Sequence, residues 1–189
     1  LHRRRHSFPT RRSSDLDVFN MGGGRDTITT GAGVDKITFG TTAVSRDTVT
    51  DFAAGAGGLH DTIVVANFVS TDFTAKTAAA SSFSATTTTG SVLELAFNAN
   101  SAVNLGDGSA DSLTGVNLLK GANDGETAAT ITETTAGDIT YVIGYQNGNA
   151  YIYYSSNSAS TIIGSELALV GILQNVAVGA ITLDNFVAS

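Results

Sequence analysis

The sequence predicts an all-β chain with little helix: a short spiral of stacked turn-and-strand units, followed by an antiparallel β-sandwich or sheet. Three observations predict it. Glycines, an aspartate and one apolar residue recur in nine-residue steps between Asp17 and Thr38. Threonine, serine, glycine, alanine and β-branched residues dominate, which favours strands and turns over helices. In the second half, Asn147-Gly148 separates two tyrosine-rich, β-forming runs, the signature of a two-residue hairpin turn.

With aspartate numbered sixth in each unit, Asp26 and Asp35 fall nine residues apart, Gly22 and Gly24 preceding the first and Gly31 and Gly33 the second. Ile28 and Ile37 follow two residues later, and a step of nine back from Asp26 reaches Asp17, with Phe19 at the apolar position. Glycines permit positive backbone dihedrals and leave carbonyls bare, while Thr-Ile-Thr makes a short strand with one side chain pointing inward. Successive units therefore stack as a right-handed spiral with two strands per coil, apolar side chains inside and loops along two edges. Glycine carbonyls and aspartate carboxylates face each other along those edges. Such oxygen cages suit calcium, which takes six to eight oxygen ligands at flexible geometry.

Residues 17–38 resemble the RTX calcium-binding nonapeptide family, whose pattern is Gly-Gly-x-Gly-x-Asp-x-apolar-x. The resemblance implies a short parallel β-roll that holds calcium through Asp17, Gly22, Gly24, Asp26, Gly31, Gly33 and Asp35. Met21 and Thr30 stand at the first-glycine position, so only the second and fourth glycines are kept. The nine-residue register places Val44 where the next aspartate is due; Asp47 stands three residues later and is expected to close the edge opened by Asp26. Asp47-Thr-Val-Thr-Asp-Phe-Ala-Ala-Gly, followed by Asp61-Thr-Ile, resembles the segment that ends the roll in secreted members of the family. That makes Asp51 a ligand of the last metal and Phe52 a plug over the open core. The alternative is two strands joined by a glycine-rich turn at Gly55–Gly58, with surface aspartates.

Residues 1–16 differ from the rest, carrying five arginines, the only proline and two of the three histidines. No apolar run follows the arginines as an export leader needs. The segment resembles translated sequencing-adapter read-through and is set aside, dividing the chain into a tail at 1–16, the repeats and their cap at 17–65, and a β-rich part at 66–189. From Asp17 onward five basic residues face sixteen acidic ones, a net charge of about −11. An acidic, lysine-poor chain is a poor partner for phosphate backbones, so nucleic acid is not expected as a ligand, whereas hard divalent cations are. Cysteine is absent, which rules out disulfides and thiolate chemistry, and no apolar run reaches the ~18 residues of a membrane-spanning helix.

Beyond the repeats, residues 70–90 read as a surface loop or irregular edge strand, and Ser91–Phe97 as a half-buried strand. Asp107 and Asp111 beside glycines mark a turn into a short helix near 113–120 rather than a decayed calcium loop. Tyr141, Tyr145, Tyr151, Tyr153 and Tyr154 are expected as cross-strand pairs more than as a sugar-binding platform. Ser165–Leu173 adds a strand. The final Ala180–Ser189 resembles the uncleaved export signal of type I (ABC transporter) substrates, or else forms the last strand of the sheet.

Catalytic frames are missing. Only His60 lies beyond residue 16, so no His-Glu-x-x-His exists, and neither a Gly-x-Ser-x-Gly elbow nor a phosphate loop is present. The expected function is non-enzymatic: a calcium-binding, calcium-dependent folding and secretion module of an extracellular or cell-surface protein. Its expected partners are calcium ions, the type I secretion apparatus and other surface proteins. Alternatives are an S-layer or adhesin-like structural protein and the non-catalytic tail of a secreted hydrolase.

Overall fold

The computed structural model describes residues 16–68, 73–76, 84–87, 90–95, 97, 102–123, 128–155 and 159–189. The tail at 1–15 and parts of the 70–90 segment lie outside the described residues. What is described is mostly β-sheet with two short helices.

The first five strands are β1 (Val18–Asn20), β2 (Thr27–Ile28), β3 (Lys36–Thr38), β4 (Asp47–Val49) and β5 (Thr62–Val65). They alternate between two sheets. β1, β3 and β5 lie side by side in one, and β2 and β4 in the other, all parallel. Parallel neighbours separated by one intervening strand require the chain to cross from sheet to sheet and back, so each coil contributes one strand to each. The inward residues Ile28, Ile37, Val49, Ile63 and Val65 are buried between the two sheets, each contributing roughly 1.5–3 kcal/mol of burial free energy.

Seven further strands and two helices follow before the chain returns. β6 (Phe73–Lys76), β7 (Ser84–Thr87), β8 (Ser91–Leu95), β9 (Thr130–Glu133), β10 (Thr140–Gln146), β11 (Asn149–Ser155) and β12 (Thr161–Ile162) precede β13 (Ala168–Leu173) and β14 (Phe186–Ala188); α1 (Ala110–Leu113) and α2 (Val116–Ala122) lie between β8 and β9. β13 pairs in parallel with β4, and β14 in parallel with β5. The last two strands thus add a coil beside β4 and β5, with about a hundred residues inserted ahead of it. Both sheets cross position 65: the outer one runs β1-β3-β5-β14 and the central one β2-β4-β13-β11-β10-β8-β6.

The central sheet is covered on both faces. One packs on the outer sheet through Val92, Ile143, Ile152, Val170 and Leu173. The other, carrying Leu93, Val142, Tyr153 and Leu169, packs on the helices and on a small sheet ordered β12-β9-β7. This corrects two expectations. Ser91–Leu95 is buried at every position rather than half-buried, because the strand lies inside a sheet covered on both faces, which encloses even Ser91 and Glu94. The second half is mixed rather than antiparallel: β10 and β11 form the expected hairpin, whereas β8 is parallel to β10, with the helices and β9 in the crossover, and parallel to β6, with β7 in the crossover.

Asn147 (φ 53°) and Gly148 (φ 75°) occupy the left-handed region that a tight hairpin turn requires. Ser109 caps α1 by accepting a hydrogen bond from Ser112 N at 3.2 Å, and Asp107 accepts one from Ser109 N at 2.9 Å, so the Asp107–Asp111 stretch builds a helix start. Four of the five tyrosines are buried and Tyr154 is half-buried; Tyr141 and Tyr154 meet edge-to-face across β10 and β11. They supply core rather than an exposed platform. No helix among the described residues is long and apolar enough to cross a membrane.

The returning coil is fastened by Asn185, which is fully buried. Its side-chain oxygen accepts from Gly55 N (3.0 Å) and Thr182 N (2.9 Å), and its amide nitrogen donates to Asp61 O (2.8 Å). Asn185→Ala is expected to lower stability by about 2–4 kcal/mol through the groups it strands. Chemical denaturation at fixed calcium measures this, and a change below ~0.5 kcal/mol would place the fastening elsewhere.

Candidate metal centre

Each coil begins its outer or central strand on an aspartate, and the aspartates form ladders. Asp17 N donates to Asp35 Oδ1 at 2.8 Å, while Lys36 N donates to Asp17 O at 2.8 Å. The same pair of bonds recurs on the opposite edge, where Asp26 N reaches Asp47 Oδ1 at 2.8 Å and Thr48 N reaches Asp26 O at 2.8 Å. A third copy joins Asp35 N to Asp61 Oδ1 at 3.1 Å and Thr62 N to Asp35 O at 2.7 Å. Every rung therefore ties one carboxylate oxygen to the backbone of the coil before it.

Rung spacing along the chain grows from 18 to 21 to 26 residues. The first equals two nonapeptides. The three extra residues of the second are absorbed by a 3-10 turn at Ala43–Ser45, with Val44 at its exposed tip. The eight of the third are taken up by the loop before Asp61. Insertions bulge outward and leave the rung geometry unchanged, which explains why Asp47 rather than Val44 meets Asp26.

The carboxylates differ in how their second oxygens are served. Asp61 is fully buried, and its Oδ2 accepts from Ala53 N at 2.9 Å with the Thr30 hydroxyl at 3.1 Å. Asp35 (1 % exposed) and Asp47 (0 %) each bury an Oδ2 that has no hydrogen-bond partner. Burial pushes Asp47 up to about 6, offset in part by the Asp26 N–H and reinforced by the Asp26 charge. Asp35 is likewise raised, first by burial and then by Asp61 and Asp17, against the lowering effect of the Asp17 N–H. Arg25 and Arg46, each directly before a rung aspartate, repel one another; burial and the Arg25 charge both lower Arg46.

Asp51 has a different task. Its Oδ1 accepts from Thr30 N at 2.7 Å and its Oδ2 from Gly31 N at 2.9 Å, so it closes the turn after β2 with both oxygens engaged. Phe52 beside it is buried in the core between the two sheets. Gly22 (φ 62°) and Gly31 (φ 93°) stand in open space, so it is their left-handed backbone rather than room for a side chain that demands glycine. Gly24 (φ 115°) and Gly33 (φ 157°) complete the two turns.

Two buried carboxylate oxygens, Asp35 Oδ2 and Asp47 Oδ2, have no hydrogen-bond partner, and a buried ionised oxygen is costly unless something positive meets it. Among the described residues no three acidic, histidine or cysteine side chains converge on one point. A cation at Asp35 or Asp47 would therefore complete its shell with backbone carbonyls and water. Asp61 and Asn185 are the ladder residues that the nonapeptide spacing does not reveal, because the loops ahead of them break the register. A signal for Asp61 was its place directly before the apolar Thr-Ile-Val-Val strand, as Asp35 stands before Lys-Ile-Thr.

Comparison with protein-family models, with curated proteins and with solved structures finds no match for this chain.

The raised carboxylates give a signed pH dependence. With divalent cations chelated, folded Asp47 holds a proton between its ordinary value near 3.8 and about 6 that the unfolded chain releases. Stability from this group is thus greatest below that window and falls as the pH rises through it. Asp47→Asn removes the effect: thermal midpoints in chelator should show the variant above the parent chain at pH 7, with the gap closing by pH 4. A constant gap across that range would contradict the assignment.

Proposed function

We propose that this chain is an RTX-type calcium-dependent folding module: residues 17–65 and the returning strands β13 and β14 make a β-roll that calcium completes. The observation that carries this reading is the pair of buried, unpartnered oxygens, Asp35 Oδ2 and Asp47 Oδ2, one on each edge of the ladder. Asp17, Asp26 and the carbonyls of the Gly22–Gly24 and Gly31–Gly33 turns supply neighbouring oxygens. Asp51, whose oxygens serve Thr30 and Gly31, positions a turn in this reading.

The physical logic is linkage. At low calcium the acidic excess and the buried charges oppose folding, whereas at the calcium levels of extracellular fluid, where such modules bind with affinities of roughly 10⁻⁴–10⁻³ M, binding free energy becomes folding free energy. A chain kept unfolded inside a cell and folded outside suits export through a narrow channel, and a secreted or cell-surface location follows from the same reading. The apolar C-terminus serves twice here, first as an unfolded type I export signal and then as β14, docked on β5.

The chain should gain β-structure on millimolar calcium, more than on magnesium, and lose it with chelator; circular dichroism that is the same in all three conditions would contradict the roll. Deleting residues 183–189 should abolish export in a host with a matching transporter. Asn185→Ala, which loosens docking but keeps the apolar end, should still be exported. Equal secretion of the deletion variant would remove the signal assignment.

A further inference from the structure

A third buried carboxylate oxygen without a partner lies far from the repeats. Glu133 ends β9 in the small sheet and is 2 % exposed, yet its Oε2 meets no hydrogen-bond partner. Its Oε1 lies 3.4 Å from the hydroxyl of Thr140, which opens β10 in the central sheet. Strand register aligns Thr140 with Ser91 on β8 and with Ser155 on β11. Residues two positions along each strand, Leu93, Val142 and Tyr153, all belong to the core between the central sheet and the small one. Side chains two apart share a face, so the three hydroxyls form a row on the face of the central sheet that packs toward the small sheet, with Thr140 in contact with Glu133. All three are buried: Ser91 5 %, Thr140 0 %, Ser155 1 %.

We propose that Glu133, with this row of hydroxyls and the Asp138 carboxylate, forms a second cation site, separate from the repeats and suited to calcium. Every side-chain donor is a neutral or anionic oxygen, the chemistry that selects hard cations. Asp138 stands two residues before Thr140, at the end of the sheet, and is half-exposed; its Oδ2 holds Thr135 N at 3.0 Å, which closes the loop between β9 and β10. The negative charge there has an electrostatic cost: Glu133 is raised above its ordinary value by burial first and then by Asp138, with a smaller push from Glu166, against the lowering effect of the Thr140 hydroxyl and the Gly137 N–H. A cation against Oε2 relieves that cost and ties the small sheet to the central one.

The site stands independently of the repeats, and calcium titrations of the full chain separate the two. By isothermal calorimetry at pH 7, Glu133→Gln should bind one calcium fewer than the parent chain. The paired variant Asp35→Asn/Asp47→Asn should keep that site while losing those of the repeats. Asp138→Asn, at the exposed mouth and harmless to packing, should weaken the same site at least about tenfold with an unchanged circular dichroism spectrum. An identical isotherm for Glu133→Gln, above all with a raised melting temperature in chelator, would overturn the proposal and make Glu133 a buried protonated acid. Should Glu133→Gln not fold, an unaltered affinity in Asp138→Asn would overturn it equally. Binding lost in the Asp35/Asp47 variant and untouched in the other two would leave the repeats as a calcium module and remove this site alone.

Discussion

The structure depends on one recurring bond, the aspartate N–H of one coil donated to the aspartate carboxylate of the next. It appears at Asp17–Asp35, Asp26–Asp47 and Asp35–Asp61. Strand pairing alone fixes parallel neighbours but does not fix where each strand begins. The rung does, because the carboxylate is one residue from the first ladder hydrogen bond and locks the register at its origin. Loops between rungs can then lengthen freely, as the 3-10 turn at Ala43–Ser45 and the loop before Asp61 do, since loop closure costs little per added residue.

The same bond underlies the proposed dependence on a cation. A carboxylate held by one oxygen inside a coil stack buries the other, and of the three rung carboxylates, Asp35, Asp47 and Asp61, only Asp61 finds protein donors for both. At Asp35 and Asp47 the second oxygen is left over. An ionised oxygen in that position opposes folding, and a proton or a cation removes the opposition. Each edge thus holds one such oxygen, and neutralising either favours the same stacked state. The ladder ends where a carboxylate gives way to the Asn185 amide, which donates as well as accepts and so meets Asp61 O and Gly55 N at once. Aspartate there would confront a carbonyl with a negative charge.

Much of this was legible in the residues. The nine-residue spacing of Asp17, Asp26 and Asp35 placed three strands and their inward Phe19, Ile28 and Ile37, because a strict spacing is a geometric statement about a stack. Asn147-Gly148 placed the hairpin for an equally local reason. Long-range closure was not legible: nothing in Ala168–Leu173 or Phe186–Ala188 says that these strands pair with β4 and β5, across about a hundred inserted residues, since partners chosen by tertiary packing leave no spacing to read. Ser91–Leu95 looked half-buried from its partial alternation, whereas every position is covered and even Glu94 is buried, accepting a hydrogen bond from Tyr145. Asp51, expected as a ligand from its place in the cap, accepts from Thr30 N and Gly31 N, contacts that only the fold displays.

A crystal structure grown at millimolar calcium, with anomalous scattering to identify the ion, tests the central claim most directly. The account predicts calcium peaks about 2.3–2.6 Å from Asp35 Oδ2 and from Asp47 Oδ2, with carbonyls of the glycine turns completing each shell. Both oxygens meeting only water or protein hydrogen bonds under those conditions would contradict it.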